Sequence, residues 1–274
     1  MTKKDSRTIE KTLEIGAPPE AVWKALTDAK ELVRWFPLKA EVEPRVGGRI
    51  WMSWEGVFEG EHRIKIFEPE RHLRTTWSPM TKDDRRSTEL SVDYHLEGRS
   101  GGTVLRLVHS GFGRGAAWDD EYDGIDTGWT FELRSLRLYL EHHLGRDRHA
   151  IFLVGPKTGL SDPEVWNRVL REGFEAPKLE GLSEGDPYSF PVGAGQTFSG
   201  RVLDYQPQKQ FAGTVDQLEN GIFRIEVFAA QPHLWLGSWR GEPEAVDRFR
   251  EPWRQMLDRL FLEKVPQPAA QSSN

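Results

Sequence analysis

Few side chains in this chain of 274 residues are placed to do chemistry, and His109 leads them. It ends the apolar run Leu107-Val108 and precedes Ser110-Gly111-Phe112. An imidazole there can anchor a ligand carbonyl or act as a general base. The competing reading is a structural hydrogen bond to its own loop. No serine or carboxylate stands near it in a nucleophile motif, so no catalytic residue is assigned beyond His109 as a candidate. Around it the chain is rich in large aromatic side chains: seven of the eleven tryptophans fall in the first 147 residues. Pockets for apolar ligands are lined by such residues with few polar groups. Trp35, Phe36, Trp51, Trp54, Trp77, Trp118, Trp129 and Leu133 are therefore candidate cavity residues, with core packing as the alternative for each.

Other constellations fail on their chemistry. Asp119, Glu121, Asp123 and Gly124 imitate a calcium loop, but its twelfth position would be Thr130, where a bidentate glutamate is required. With Asp120 and Asp126 they read as a solvated acidic loop before a helix. His142 and His143 are adjacent on a helix, about 100° apart, which suits one metal ion poorly and a helix C-terminus well. Glu61, Arg63, Arg74 and Arg106 sit on strands and become selectivity groups only if they point inward. There is no Walker A loop, dinucleotide fingerprint or HExxH. No metal and no cofactor are expected.

Composition narrows the classes further. A hydrophobic share of 37% with 29% charge fits a globular protein with a real core. A net charge of −6 gives no reason to expect nucleic acid or an anionic membrane. Without cysteine there is neither disulfide nor thiolate ligand. Met1-Thr2-Lys3-Lys4-Asp5 opens no signal peptide, and no apolar run nears the ~20 residues that span a bilayer. A cytoplasmic location is expected.

The elements that must position these residues follow from periodicity. Thr8 to Ile15 alternates as a half-buried strand, with Lys11 its polar exception. Two helices follow, one opened by Pro18-Pro19 and one capped by Asp28. Strands are expected at Arg49 to Glu55, Phe58 to Phe67, His72 to Trp77, Ser87 to Leu96 and Thr103 to Val108. A long helix then opens at Gly128-Trp129, with Trp129, Leu133, Leu136 and Leu140 on one face, widened by Phe131 and Leu138. Beyond Gly145 come a short strand, Ile151 to Val154, and a helix capped by Asp162. A loop is read over 175–196. Strands at 197–205, 210–215, 222–228 and 234–239 precede a final helix over 244–262. The sequence also repeats itself. Arg63-Ile64-Lys65-Ile66-Phe67-Glu68-Pro69 lies over Arg201-Val202-Leu203-Asp204-Tyr205-Gln206-Pro207 without a gap, and Leu73 over Phe211. Pro19-Glu20-Ala21-Val22-Trp23 is similar to Pro163-Glu164-Val165-Trp166. Trp129, Leu133, Leu136 and Leu140 lie over Phe249, Trp253, Met256 and Leu260. A tandem duplication with a shrunken second copy is expected.

Residues 7–144 resemble the activator-of-Hsp90-ATPase-homologue (AHSA1-like) branch of the START-like, or SRPBCC, superfamily. The resemblance is carried by Pro18-Pro19-Glu20-Ala21-Val22-Trp23-Lys24-Ala25-Leu26-Thr27-Asp28, Leu32-Val33-Arg34-Trp35-Phe36, Gly47-Gly48, Gly60, Phe67-Glu68-Pro69, Leu73-Arg74-Thr75-Thr76-Trp77, His109-Ser110-Gly111-Phe112 and Gly128-Trp129. It implies an α+β helix-grip fold, an antiparallel sheet wrapped around a long C-terminal helix with a cavity between them. The expected plan is a START-like domain over 1–147, a degenerate second one over 148–265 and a flexible tail over 266–274. Members of the superfamily bind hydrophobic small molecules, and some act on polyketide-like substrates as cyclases or hydrolases. Others stimulate the chaperone Hsp90. The expected function is binding of a small hydrophobic ligand in the tryptophan-lined cavity. A cyclase- or hydrolase-like enzyme and a chaperone-regulating interaction module remain as alternatives.

Overall fold

Alternation makes the first strand, and one lysine ties it to the helix it faces. β1 (Arg7–Ile15) buries Ile9, Leu13 and Ile15 and exposes Thr8, Glu10, Thr12 and Glu14. Lys11 lies on the buried side and sends its ammonium out to α3 (Ala116–Leu138), donating to Thr130 Oγ1 at 3.0 Å and pairing with Asp126 at 2.8 Å. The computed structural model describes residues 6–55, 57–77, 89–176, 179, 181–193 and 195–262; the expected tail lies outside them. Contacts divide the chain into two units. The first runs to Ala150 and takes in Gly237–Gly241; the second holds Ile151–Leu236 and the chain from Glu242.

In the first unit, α1 (Pro19–Thr27) and α2 (Ala29–Leu32) follow β1. Asp28 caps α2 by accepting from the Glu31 N–H at 3.0 Å. Then come β2 (Lys39–Val42), β3 (Arg49–Ser53), β4 (Glu59–Glu68), β5 (His72–Trp77), β6 (Leu90–Arg99) and β7 (Gly102–Phe112). They form one antiparallel sheet in the order β1-β7-β6-β5-β4-β3-β2. α3 lays Trp129, Phe131, Leu133, Leu136 and Leu138 into its core. Ser135, wholly buried on α3, donates to the Trp35 carbonyl at 2.8 Å. The last turn, Tyr139–His143, widens to a π-helix.

The helix start is a correction. α3 begins at Ala116, after Gly115 at φ 96°, and not at Gly128-Trp129. The acidic stretch is thus helical and not a loop. Asp119 pairs with Arg7 at 2.7 Å, and the Arg7 guanidinium also lies 4.5 Å from the Tyr122 ring. β1 pins the acidic turns through Arg7 and Lys11. Gly128 sits mid-helix, where a Cβ would meet nothing within 4 Å, so no constraint marks it as a boundary.

In the second unit, β8 (His149–Val154) leads to α4 (Asp162–Asn167), which continues as a π-turn, Arg168–Gly173. Its cap is Ser161 and not Asp162: Glu164 reaches back to the Ser161 N–H at 2.8 Å, closing a capping box. β9 (Pro187–Pro191), β10 (Thr197–Gln206), β11 (Gln210–Val215), β12 (Gly221–Phe228) and β13 (Gln231–Ser238) complete a sheet of order β8-β13-β12-β11-β10-β9. The helices α5 (Glu244–Asp247) and α6 (Arg250–Phe261) close the chain, with Trp253, Met256, Leu257 and Leu260 buried. β9 falls inside the expected loop.

The two sheets share a plan to the level of single hydrogen bonds. In each, the first strand lies beside the last and the others follow in descending order. β3, β4 and β5 recur 138 residues later as β9, β10 and β11 with identical lengths. Phe67 pairs with Leu73 as Tyr205 pairs with Phe211, and the register shifts between Ile64 and Ile66 as it does between Val202 and Asp204. Thr76 Oγ1 accepts from the Arg63 N–H at 2.8 Å; Thr214 Oγ1 accepts from the Arg201 N–H at 2.9 Å. The fold is α+β helix-grip in tandem, with a reduced second copy. Among the described residues β2 has no counterpart.

Candidate functional site

The inward rows of the first sheet set the site. Alternation turns Gly60, His62 and Ile64 of β4 inward, with Leu73, Thr75 and Trp77 of β5, Tyr94 of β6, and Leu105, Leu107 and His109 of β7. α3 brings Trp129 against them. Its ring centroid lies 5.5 Å from those of Phe36 and Trp77, 6.1 Å from Tyr94 and 6.2 Å from His109. A cavity of about 20 Å³ remains at the centre, walled by Leu26, Leu32, Trp35, Phe36, Ile50, Met52, His62, Leu73, Thr75, Trp77 and Tyr94. That is room for about one water molecule.

Polar atoms gather at this apolar centre. The Trp129 indole N–H donates to His109 Nδ1 at 3.0 Å. A neutral His109 must then carry its proton on Nε2. That Nε2 is buried with no hydrogen-bond partner, as is the indole nitrogen of Trp77, while the buried His62 ring has only the Thr76 carbonyl beside it. The three rings touch: His62 stacks on Trp77 at 4.7 Å, and Trp77 meets His109 edge-on at 5.3 Å. Burial pushes His109 down to about 3, helped by the nearby His62. Burial likewise pushes His62 down to about 4, against the opposing pull of the Thr76 carbonyl and Glu61. Both imidazoles are neutral at pH 7. Each unpaired buried polar group costs about 1–3 kcal/mol, so this concentration is unusual for a plain core.

The expected residues divide by position. Trp35 and Phe36 stack on each other at 4.9 Å, and the Trp35 N–H is satisfied by the Ala25 carbonyl at 2.9 Å. Trp77 is on the cavity wall; His109 and Trp129 touch it through Trp77. Leu133 is buried on α3. Trp54 packs edge-on against Phe36 at 5.2 Å, outside the wall. Trp51 does not line the cavity: its neighbours on β3, Ile50 and Met52, point inward, so it points out. Trp118 lies at the first turn of α3 against Phe112 at 6.3 Å, also off the wall. The sequence reading missed His62, although two residues beyond it Ile64 shows which parity of β4 is inward.

Two further places lie away from this cavity. On the opposite face of β5 and β6, His72, Asp93 and His95 bring one ligand atom each within 4.8 Å of one another. In the second unit a surface cleft of about 160 Å³ runs between β8 and α6, beside Leu153–Pro156 and Leu257. Its charged groups, Arg254 and Asp258, are exposed. The interior of that unit is filled by Phe190, Phe198, Phe211, Phe223 and Phe249 around Trp253, whose N–H is taken by the Val192 carbonyl at 2.7 Å.

Residues 16–141 match the family described as Activator of Hsp90 ATPase homolog 1-like protein. No curated protein matches the chain. Among solved structures, the protein MLL2253 from Mesorhizobium loti is 28% identical, with 50% of this chain and 99% of that one covered at a TM-score of 0.46. The Aha1 dimer from Colwellia psychrerythraea is 24% identical, covering 51% and 99% at 0.44. DynU16, described as a putative protein of the dynemicin biosynthetic locus, is 17% identical and covers 92% and 97% at 0.44. No helix among the described residues is long and apolar enough to cross a membrane.

Proposed function

We propose, on the premise that the first unit belongs to the activator-of-Hsp90-ATPase-homologue-1-like family, that it binds a small and largely apolar molecule between its sheet and α3. The carrying observation is the unpaired buried nitrogens of Trp77 and His109, with the buried His62 ring stacked on Trp77, around an aromatic cavity. Trp77 and His109 offer N–H donors, and His62, whose N–H faces the Thr76 carbonyl, offers an acceptor nitrogen. The matching ligand has an apolar body and at least one acceptor oxygen, as in a carbonyl or phenol. Ligand pockets measure roughly 300–1,000 Å³, so the rings of Trp77, Phe36 and Trp129 must part to admit it. Binding then selects an opened form of the unit.

The enzymatic alternative ranks second. A base driven down to about 3 or 4 has little affinity for a proton at pH 7. Among the described residues no carboxylate hydrogen-bonds to either imidazole to raise it. Trp129 orients His109 as a hydrogen-bonding group and not as a base. A chaperone-regulating role rests on the family's description, and the exposed large apolar residues Val46, Val57, Leu144 and Leu262 are not a shared strand face.

Native against denaturing mass spectrometry of the purified chain tests the proposal. An excess mass lost on denaturation is expected, with the same mass absent from a His62→Leu, Trp77→Phe double variant. A bare mass, together with no thermal stabilisation by any carbonyl-bearing aromatic compound, overturns it.

A further inference from the structure

We propose that His72, Asp93 and His95 form a site for one divalent transition-metal ion of the zinc type, on the sheet face opposite the aromatic cavity. Strand register assembles the three. Antiparallel pairing of β5 with β6 sets His72 across from His95 and Arg74 across from Asp93. Leu73 and Tyr94 point to the cavity, so their neighbours in both strands point away from it. His72 Nε2 lies 2.7 Å from Asp93 Oδ1, and the His72 and His95 rings stack at 4.1 Å. Zinc holds imidazole nitrogen and carboxylate oxygen at about 2.0–2.2 Å, which places ligand atoms about 3.3 Å apart in a tetrahedron. The three ligand atoms, now within 4.8 Å of one another, close to that spacing when an ion binds.

The surroundings support a metal rather than a proton at this point. Asp93 is only 3% exposed and is fixed by Arg74, whose Nε stands 2.9 Å from Oδ1 and 3.0 Å from Oδ2. Metal-bound carboxylates are held by such outer hydrogen bonds. His72 and His95 are half-buried, which leaves a coordination position for water. The cations Arg74 and Arg106 oppose any ion, so selectivity falls to imidazole affinity. Two imidazoles and one carboxylate favour Zn²⁺ over the oxygen-seeking Mg²⁺ and Ca²⁺. The ion takes the place of the proton between His72 and Asp93. It would also clamp β5 to β6, the strands that present Trp77 and Tyr94 to the cavity.

Calorimetric titration of the chelator-treated full chain with ZnCl₂ decides it, with MgCl₂ as control. One Zn²⁺ per chain and no Mg²⁺ are expected. His95→Ala should weaken Zn²⁺ binding by about tenfold or more, while His142→Ala, a histidine at another place, leaves it unchanged. His95 is half-buried, so this variant folds even if Asp93→Asn does not. Co²⁺ should give intense visible bands in the wild type and lose them in His95→Ala. Zinc uptake without a defined stoichiometry, or a His95→Ala variant that binds as the wild type does, overturns the proposal.

Discussion

The β4–β5 pair of the first unit and the β10–β11 pair of the second share length, register and bulge, yet each lines an interior of different character. Where β4 turns Gly60 and His62 inward, β10 has Phe198 and Gly200; where β5 has Thr75 and Trp77, β11 has Gly213 and Val215. A Cβ on Gly200 would fall 2.1 Å from the Thr214 carbonyl oxygen, and one on Gly213 would fall 2.4 Å from the Tyr188 ring. The second copy has drawn its strands and rings into those spaces. Even its buried Tyr188 hydroxyl is satisfied, donating to the Thr214 carbonyl at 2.6 Å. One frame thus supports a core filled by rings, with Trp253 and Tyr188 both paired, and an interior with unpaired nitrogens. The difference resides in a few inward positions and not in the backbone plan.

Truncation breaks the comparison most sharply. Trp253→Ala, in the filled core, should destabilise the second unit by about 3–5 kcal/mol in denaturant titrations; a loss below 1 kcal/mol would mean that core is loosely packed. Acid comes next, and it should act on the first unit. His62 titrates near 4 in the folded chain and near 6.5 when unfolded. The unfolded chain binds the proton first, so stability present above pH 6.5 is lost as pH falls toward 4, by about 3 kcal/mol for this group. Melting curves across that range should flatten in His62→Leu.

At neutral pH the same His62→Leu variant should gain about 1 kcal/mol, because it removes a buried and poorly satisfied imidazole at similar volume, while it loses ligand. A loss of stability would show that His62 is fully paired after all. The smallest effect tests the equivalence of the copies. Gly47 at φ 78° and Gly185 at φ 87° occupy matching turns with open space around each Cβ. Gly47→Ala and Gly185→Ala should each cost about 1 kcal/mol, and unequal costs would break the correspondence.

Much of this frame was legible in residues. The ungapped match of Arg63–Pro69 with Arg201–Pro207 anticipated the shared register, and β1 and the α3 face followed from periodicity. Two strands escaped because they are short edges without the apolar pattern that marks the edges β1 and β8. β2 and β9 are edge strands, paired on one side only. Edges tolerate prolines such as Pro187 and Pro191 and short polar runs, and both look like loop. The acidic turns of α3 were misread because their helix is stabilised from outside, by Arg7 and Lys11 more than 100 residues earlier. The site was half legible. Tryptophan content pointed to an aromatic interior, but which rings face it depends on strand parity, and Trp51 has the wrong one. His62 and the His72–Asp93–His95 group emerge only when strands pair.

The matched bulge and register carry a hazard for the chain while it folds. β11 offers β4 the same backbone hydrogen bonds as β5 does, and a newly made chain holding both could exchange them. Backbone geometry cannot discriminate the two pairings. Side-chain volume can: Trp77 and Thr75 replaced by Val215 and Gly213 would leave the aromatic interior underfilled, and the reverse exchange would force a tryptophan into a closed phenylalanine core. The divergence that separates a receptive interior from a sealed one therefore also acts as an address label, directing each hairpin to its own sheet.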